Sequence, residues 1–256
     1  LKVIKFVPAS GAASRMFKHL FEFAEVYERN PAGKALFEKD KSFNSVYYFF
    51  QNIEKFAFYE DLKAVLQNNG YQIETEIKEE NYALILHYLL DDKGLGYASL
   101  PKGLLRFHHY DDGNRFGIEE HLVEAAVYGK NGNGIAPLHF TVSPEHQRKF
   151  EEIIAQVKGK HEKEYDIKFE IAFSQQKPST DTISVDPGNV PFRELDGSIL
   201  FRPGGHGALI ENLNEIDADI VFIKNIDNIV PDRLKSTTFK YKKIIGSYLA
   251  KIQEEV

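Results

Sequence analysis

Several short clusters in this chain have the residue types that phosphate chemistry needs. The first is Ala9-Ser10-Gly11-Ala12-Ala13-Ser14-Arg15. It follows an apolar, strand-like pattern at residues 3–7 and precedes a helix-like pattern at 16–27. In that position, backbone amides and the positive end of a helix can cradle a polyphosphate, provided the side chains are small enough to let it approach. An ordinary tight strand-to-helix turn is the competing reading, because a single glycine matches neither a Walker loop nor a dinucleotide fingerprint. Arg15 offers a planar forked donor suited to phosphate oxygens. As a mere surface charge it would sit in a first helical turn, where the helix dipole disfavours a cation. Lys102, between Pro101 and Gly103, puts a compact positive charge at a turn, although a solvated surface lysine explains it equally well.

Two further clusters lie downstream. Gly204-Gly205-His206-Gly207 stands between a strand pattern and a helix pattern and has more glycine than a turn requires. It offers a second close approach of backbone to a ligand, with His206 either capping a helix or stacking on a ring. Asp227, in Asn225-Ile226-Asp227-Asn228, directly follows an apolar strand pattern. From such a position a carboxylate can hold a hard cation bound to phosphate, or can simply cap a turn. The remaining histidines show no metal-ligand spacing, and Ser10 and Ser14 lack a nucleophile elbow. The Phe/Tyr stripe at 43–59 reads as core rather than as a stacking platform.

The elements that must position these residues are visible in the pattern. Strand-like and helix-like segments alternate, which predicts an α/β fold with a mostly parallel sheet and helices on both faces. Ligands then belong at the carboxyl ends of the strands. A largely helical insert at about 17–96 separates the first loop from the Pro-Lys turn, and residues 82–90 fit either helix or strand. The expected organisation is one domain over 1–256, or the N-terminal part of a longer protein. Apolar residues make up 43% and charged residues 27%, as in ordinary globular chains. A net charge of −6 disfavours broad nucleic-acid binding but leaves a focused phosphate site open. The absence of cysteine excludes thiolate chemistry and fits a reducing compartment, and the apolar runs are too short to span a bilayer. The expected location is the cytoplasm.

Taken in order, these clusters resemble the UTP–sugar-phosphate uridylyltransferases, the UDP-sugar pyrophosphorylases of the nucleotide-diphospho-sugar transferase fold. Residues 9–16 resemble the family's Ala-Gly-Gly-x-Gly-Thr-Arg loop, and Leu100-Pro101-Lys102-Gly103 its Pro-Lys turn. Phe173-Ser174-Gln175-Gln176 is similar to its Phe-x-Gln strand end, Pro203-Gly204-Gly205-His206-Gly207 to its base and ribose loop, and Ile226-Asp227-Asn228 to its metal corner. The chain is also similar in overall style to an uncharacterised bacterial branch, DUF4301. Ser10 and Ala13 stand where the family has glycine, the insert is longer than usual, and the family's second metal carboxylate lies downstream of the metal corner.

The resemblance implies transfer of a nucleotidyl group from a nucleoside triphosphate, UTP above all, to a sugar 1-phosphate, with release of pyrophosphate. Arg15 and the loop amides would hold the β- and γ-phosphates, Lys102 would counter charge at the α-phosphate, and Asp227 would carry Mg²⁺. Gln175 would read the base edge, with Gly204, Gly205 and His206 near base and ribose. A nucleotide or nucleotide-sugar binding protein without catalysis is the alternative on the same fold. A glycosyltransferase would need an Asp-x-Asp motif after a strand, whereas Asp217-Ala218-Asp219 precedes one.

Overall fold

The computed structural model describes residues 1–204 and 206–255, with His206 described in its backbone alone. Along the chain lie β1 (Val3–Pro8), α1 (Lys18–Val26), α2 (Pro31–Glu38), α3 (Val46–Gln51), α4 (Tyr59–Asn68), α5 (Ile73–Lys78) and α6 (Tyr82–Leu90). These are followed by β2 (Arg106–His108), β3 (Arg115–Phe116), α7 (Gly117–Glu124), β4 (Ile135–Thr141), α8 (Gln147–Tyr165) and β5 (Lys168–Ser174). Last come β6 (Thr182–Ile183), β7 (Phe201–Arg202), α9 (Ile210–Asn214), β8 (Ile220–Ile223) and α10 (Asp232–Glu255). The protein is α/β, as the alternation predicts. It divides into two compact units, one combining Leu1–Ser10 with His121–Val256 and the other formed by Gly11–Glu120. No helix among the described residues is long and apolar enough to cross a membrane.

The first unit is built on a four-stranded sheet in the order β5-β4-β1-β8, with every neighbouring pair parallel. All four carboxyl ends therefore share one edge, formed by Pro8, Thr141, Ser174 and Ile223. Parallel neighbours need a crossover between them; α7 supplies it from β1 to β4, α8 from β4 to β5, and α9 from β5 to β8. Val7, Leu138, Phe140 and Phe169 are buried. On the opposite face Phe6 and Thr141 are buried, while Pro137 and His139 are half-buried. Burying a side chain such as Phe140 contributes about 1.5–3 kcal/mol. After Glu124 the helix loosens into a π-turn, Ala125–Gly129, whose Tyr128 packs edge-on against Phe222 of β8 at 5.3 Å.

The second unit has a helical core to which α1, α3, α4 and α6 contribute Leu20, Phe50, Leu62 and Leu86, all buried. Residues 82–90 are helix: Tyr82, Ile85, Leu86, Leu89 and Leu90 are buried at three- and four-residue spacing. The 43–66 stretch is broken into α3, a 3₁₀ turn at Ile53–Lys55 and α4. Ser45 starts α3 by accepting the Tyr48 amide, and Asn30 starts α2 by accepting that of Gly33, with Pro31 in the first turn. The helix expected at 16–27 instead opens with a 3₁₀ turn, Ser14–Phe17, before α1. The axis that would aim amides at a ligand is thus tightened at its first turn.

The contact between α10 and β8 yields a test of this packing. A Cβ on Gly246 would lie 2.7 Å from the buried Phe222 ring. Gly246→Val should destabilise the protein by about 1–3 kcal/mol through overpacking, lowering the urea midpoint at unchanged slope. A midpoint equal to the parent's would contradict so close an approach.

Candidate functional site

In the second unit the loop and the Pro-Lys turn are joined through their backbones. Ala12 and Pro101 form an antiparallel bridge, with Lys102 N donating to Gly11 O at 3.0 Å and Ala13 N to Leu100 O at 3.1 Å. Two clusters far apart in sequence thus become neighbours. Arg15, Ser14 and Ala12 are exposed, and Lys102 is half-buried. The pairing also restricts the loop. The Ala13 amide is committed to Leu100, and in the first unit the Ala9 amide is committed to Thr141 O at 2.8 Å. Both alanines are fully buried, so internal packing explains their small side chains. Gly11 is different: a Cβ there would meet nothing within 4 Å, and its φ is not in the left-handed range. Nothing in the fold requires glycine at that position.

Beyond this turn, β2, β3 and α7 gather a polar cluster that the sequence does not announce. The Glu120 carboxylate, fully buried, lies 2.8 Å from His108 Nδ1 and accepts the Tyr110 hydroxyl at 2.7 Å. Arg115 Nη1 lies 3.8 Å from the same carboxylate, and its guanidinium sits over the Tyr110 ring. The carboxylate holds the His108 ring in one orientation through Nδ1. The acidic run Glu119-Glu120 at a helix start was the only hint of it.

In the first unit, Ser10, Gln175 and Asp227 follow the carboxyl ends of β1, β5 and β8, the edge where ligands of such sheets bind. Gln175 is exposed, and its Nε2 donates to Gln147 Oε1 at 3.1 Å. Beside it Asn212 Nδ2 donates to Ser174 Oγ and to Gln175 O, both at 2.8 Å. Because Ser174 accepts from Asn212, its own proton goes to His139 Nε2, 2.7 Å away. Burial lowers the His139 pKa, which keeps the ring a neutral acceptor. Two buried atoms at this edge, Thr141 Oγ1 and Asn212 Oδ1, lack a hydrogen-bond partner among the described residues. Each such atom costs about 1–3 kcal/mol, a cost a polar ligand would relieve.

Asp227 is exposed on a turn whose neighbour, Ile226, is buried. The turn is held from beneath by His121, whose Nε2 lies 3.1 Å from Ile226 O. Burial keeps the His121 pKa well below the usual value, so the ring is neutral and donates from Nε2. Among the described residues no group of three His, Asp or Glu side chains is arranged to hold a metal. Gly205 and the His206 side chain lie outside the described residues. Gly204, in the first unit, sits where a Cβ would come within 3.3–3.6 Å of Ala208, Thr182 and Thr180.

Under the sheet lies a charge cluster centred on Glu124. Its two oxygens take Lys224 Nζ at 2.5 Å and Lys5 Nζ at 2.9 Å, and Tyr128 donates its hydroxyl at 2.8 Å. Lys5 also donates to His121 O at 3.1 Å. Burial pushes the Lys5 pKa down, and the Glu124 charge restores part of it, leaving it at about 7. Burial acts to raise Glu124, but the two lysines outweigh it and bring the carboxyl to about 2. The strand pattern Val3–Pro8 had one signal for this cluster: a lysine at an inward position.

This cluster predicts a pH dependence. Unfolded, Lys5 keeps its proton up to about 10.5; folded, it loses it above about 7. The unfolded chain therefore binds more protons in that window, and the contribution of Lys5 makes stability rise from pH 7 toward 10.5. Chemical unfolding of Lys5→Met should show a flatter pH dependence over that window. An unchanged slope would mean that Lys5 is not desolvated.

No curated protein and no solved structure matches the chain. The parallel sheet, the helical unit and the residues on both sides of the boundary at Ser10 nevertheless fall within one family model, described as Domain of unknown function (DUF4301) and matching residues 1–256, and the chain belongs to that family.

Proposed function

We propose that the protein is a nucleotidyltransferase that joins a sugar 1-phosphate to a nucleoside triphosphate, UTP by resemblance, and releases pyrophosphate. The observation that carries this reading is the backbone pairing of residues 11–13 with residues 100–102, which places an arginine-bearing loop beside a lysine-bearing turn. In the reaction a sugar-phosphate oxygen attacks the α-phosphorus while the bond to the β-phosphate oxygen breaks. Little covalent chemistry is asked of the protein; positioning and charge neutralisation dominate. Arg15 and the amides of Gly11, Ala12 and Ser14 hold the departing β- and γ-phosphates, and Lys102 offsets charge growing at the α-phosphate. In the first unit, Gln175, steadied by Gln147, is the residue to which the resemblance assigns reading of the base edge. Asp227 suits Mg²⁺, since that ion keeps water and phosphate ligands and needs only one or two protein carboxylates. When bound, Mg²⁺ supplies further neutralisation of the triphosphate.

A second reading, nucleotide or nucleotide-sugar binding without transfer, draws support from the engaged Ala13 amide, which shortens the phosphate cradle. Pyrophosphate release, measured with UTP, Mg²⁺ and a panel of sugar 1-phosphates, separates the two. Transfer predicts release that falls about 10²–10³-fold in Arg15→Ala and Asp227→Ala, with circular dichroism unchanged. No release, together with a UTP-dependent rise in melting temperature, would leave the binding reading standing. Neither release nor a rise would remove nucleotides from the account.

A further inference from the structure

The second unit carries a cleft of about 270 Å³ between α1, α3 and the turn that precedes α4, and nothing in the proposed transfer uses it. Its walls are aromatic. Phe43, 76% exposed, leans on Tyr48 with ring centroids 5.0 Å apart, and Phe56, 39% exposed, lies 5.0 Å from Phe49 and 5.1 Å from Phe58. Met16, from the 3₁₀ turn that carries Arg15, completes the apolar lining. The aromatic stripe is thus only partly core: Phe49, Phe50 and Phe58 are buried, while Phe43, Tyr48 and Phe56 present ring surface to solvent. Several large rings exposed around one concavity are costly in water unless something covers them.

The lining specifies what would cover them. It contains no Asp, Glu, Lys or Arg, so a charged group would be desolvated without compensation. It is not purely hydrocarbon either. His19 and Asn44 border the cleft, and among the described residues neither side chain has a hydrogen-bond partner. Ser45 is already committed, donating to Ser42 O and accepting from Tyr48 N. Both side chains are exposed, so an alkyl chain lying against them would displace water from the imidazole and amide edges with nothing to replace it, whereas a flat ring with its own donors and acceptors would stack on the aromatics and pair with both. His19 and Asn44 also border a neighbouring cleft that contains Lys39 and Asp40, so the polar edge of such a ring would face a polar region. The volume lies just under the ~300 Å³ lower bound for small-molecule sites, room for a ring system and not for a whole nucleotide.

We infer that this cleft binds a neutral heteroaromatic ring of the nucleobase class, stacked on Phe43 and Tyr48 and hydrogen-bonded by Asn44 and His19. The inference is independent of nucleotidyl transfer, since it invokes neither Arg15, Lys102 nor Asp227. Equilibrium binding of uridine and adenosine, without phosphate or Mg²⁺ and with ribose and cyclohexanol as controls, tests it. At least one nucleoside should bind saturably and more tightly than either control. Phe43→Ala combined with Tyr48→Ala should weaken that binding about ten- to a hundredfold, with the fold retained by circular dichroism. Asn44→Asp should shift the preference between the two nucleosides. Cyclohexanol binding as tightly as the nucleosides would overturn the inference, as would nucleoside binding indifferent to the double substitution, or no binding at all.

Discussion

Two backbone hydrogen bonds, from Lys102 N to Gly11 O and from Ala13 N to Leu100 O, set the geometry on which the functional account depends. They cannot by themselves close the chain between them. Bringing together the ends of a loop of roughly ninety residues costs on the order of 4 kcal/mol in entropy, and each bond contributes about 1 kcal/mol net. The helical core closes it: Ala13 and Leu105, on either side of the bridge, belong to the same buried cluster as α1, α4 and α6. The two bonds then fix register. They decide which residues of the loop lie opposite the Pro-Lys turn, and they withdraw one amide, that of Ala13, from any ligand.

The first unit solves a different problem. Parallel sheets bury their faces, and β1 carries a lysine where an apolar residue is expected. Lys5 is tolerated because Glu124, Tyr128 and Lys224 form a closed set of charge-assisted hydrogen bonds around it. Replacing such a set with apolar groups is often neutral, so stability alone does not account for it. Its structural effect is to tie β1, α7 and the segment after β8 together at the base of the turn that carries Asp227. His121 reinforces the same link through Ile226.

Much of this could be read in the sequence where local physics dominates. The alternation of branched apolar runs with amphipathic segments is resolved as a parallel sheet crossed by helices. Residues 82–90 stayed ambiguous because an element apolar on most sides has little periodicity; burial of five of its nine side chains makes it a helix. Other features depend on partners distant in the chain and left no periodic trace. The pairing of His108 with Glu120, of Lys5 with Glu124, and of His139 with Ser174 are of this kind. The aromatic stripe was misleading for a related reason: composition gives the rings, but only the break between α3 and α4 turns Phe56 outward.

The central claim is that the bridged loop and turn receive a polyphosphate. Backbone amide resonances, followed in nitrogen-15-labelled protein during titration with UTP, test it most directly. The account predicts saturable shifts at Gly11, Ala12 and Ser14, with Ala13 remaining protected from solvent exchange by its bond to Leu100. Saturable shifts confined to other parts of the chain, with these amides unmoved, would contradict it.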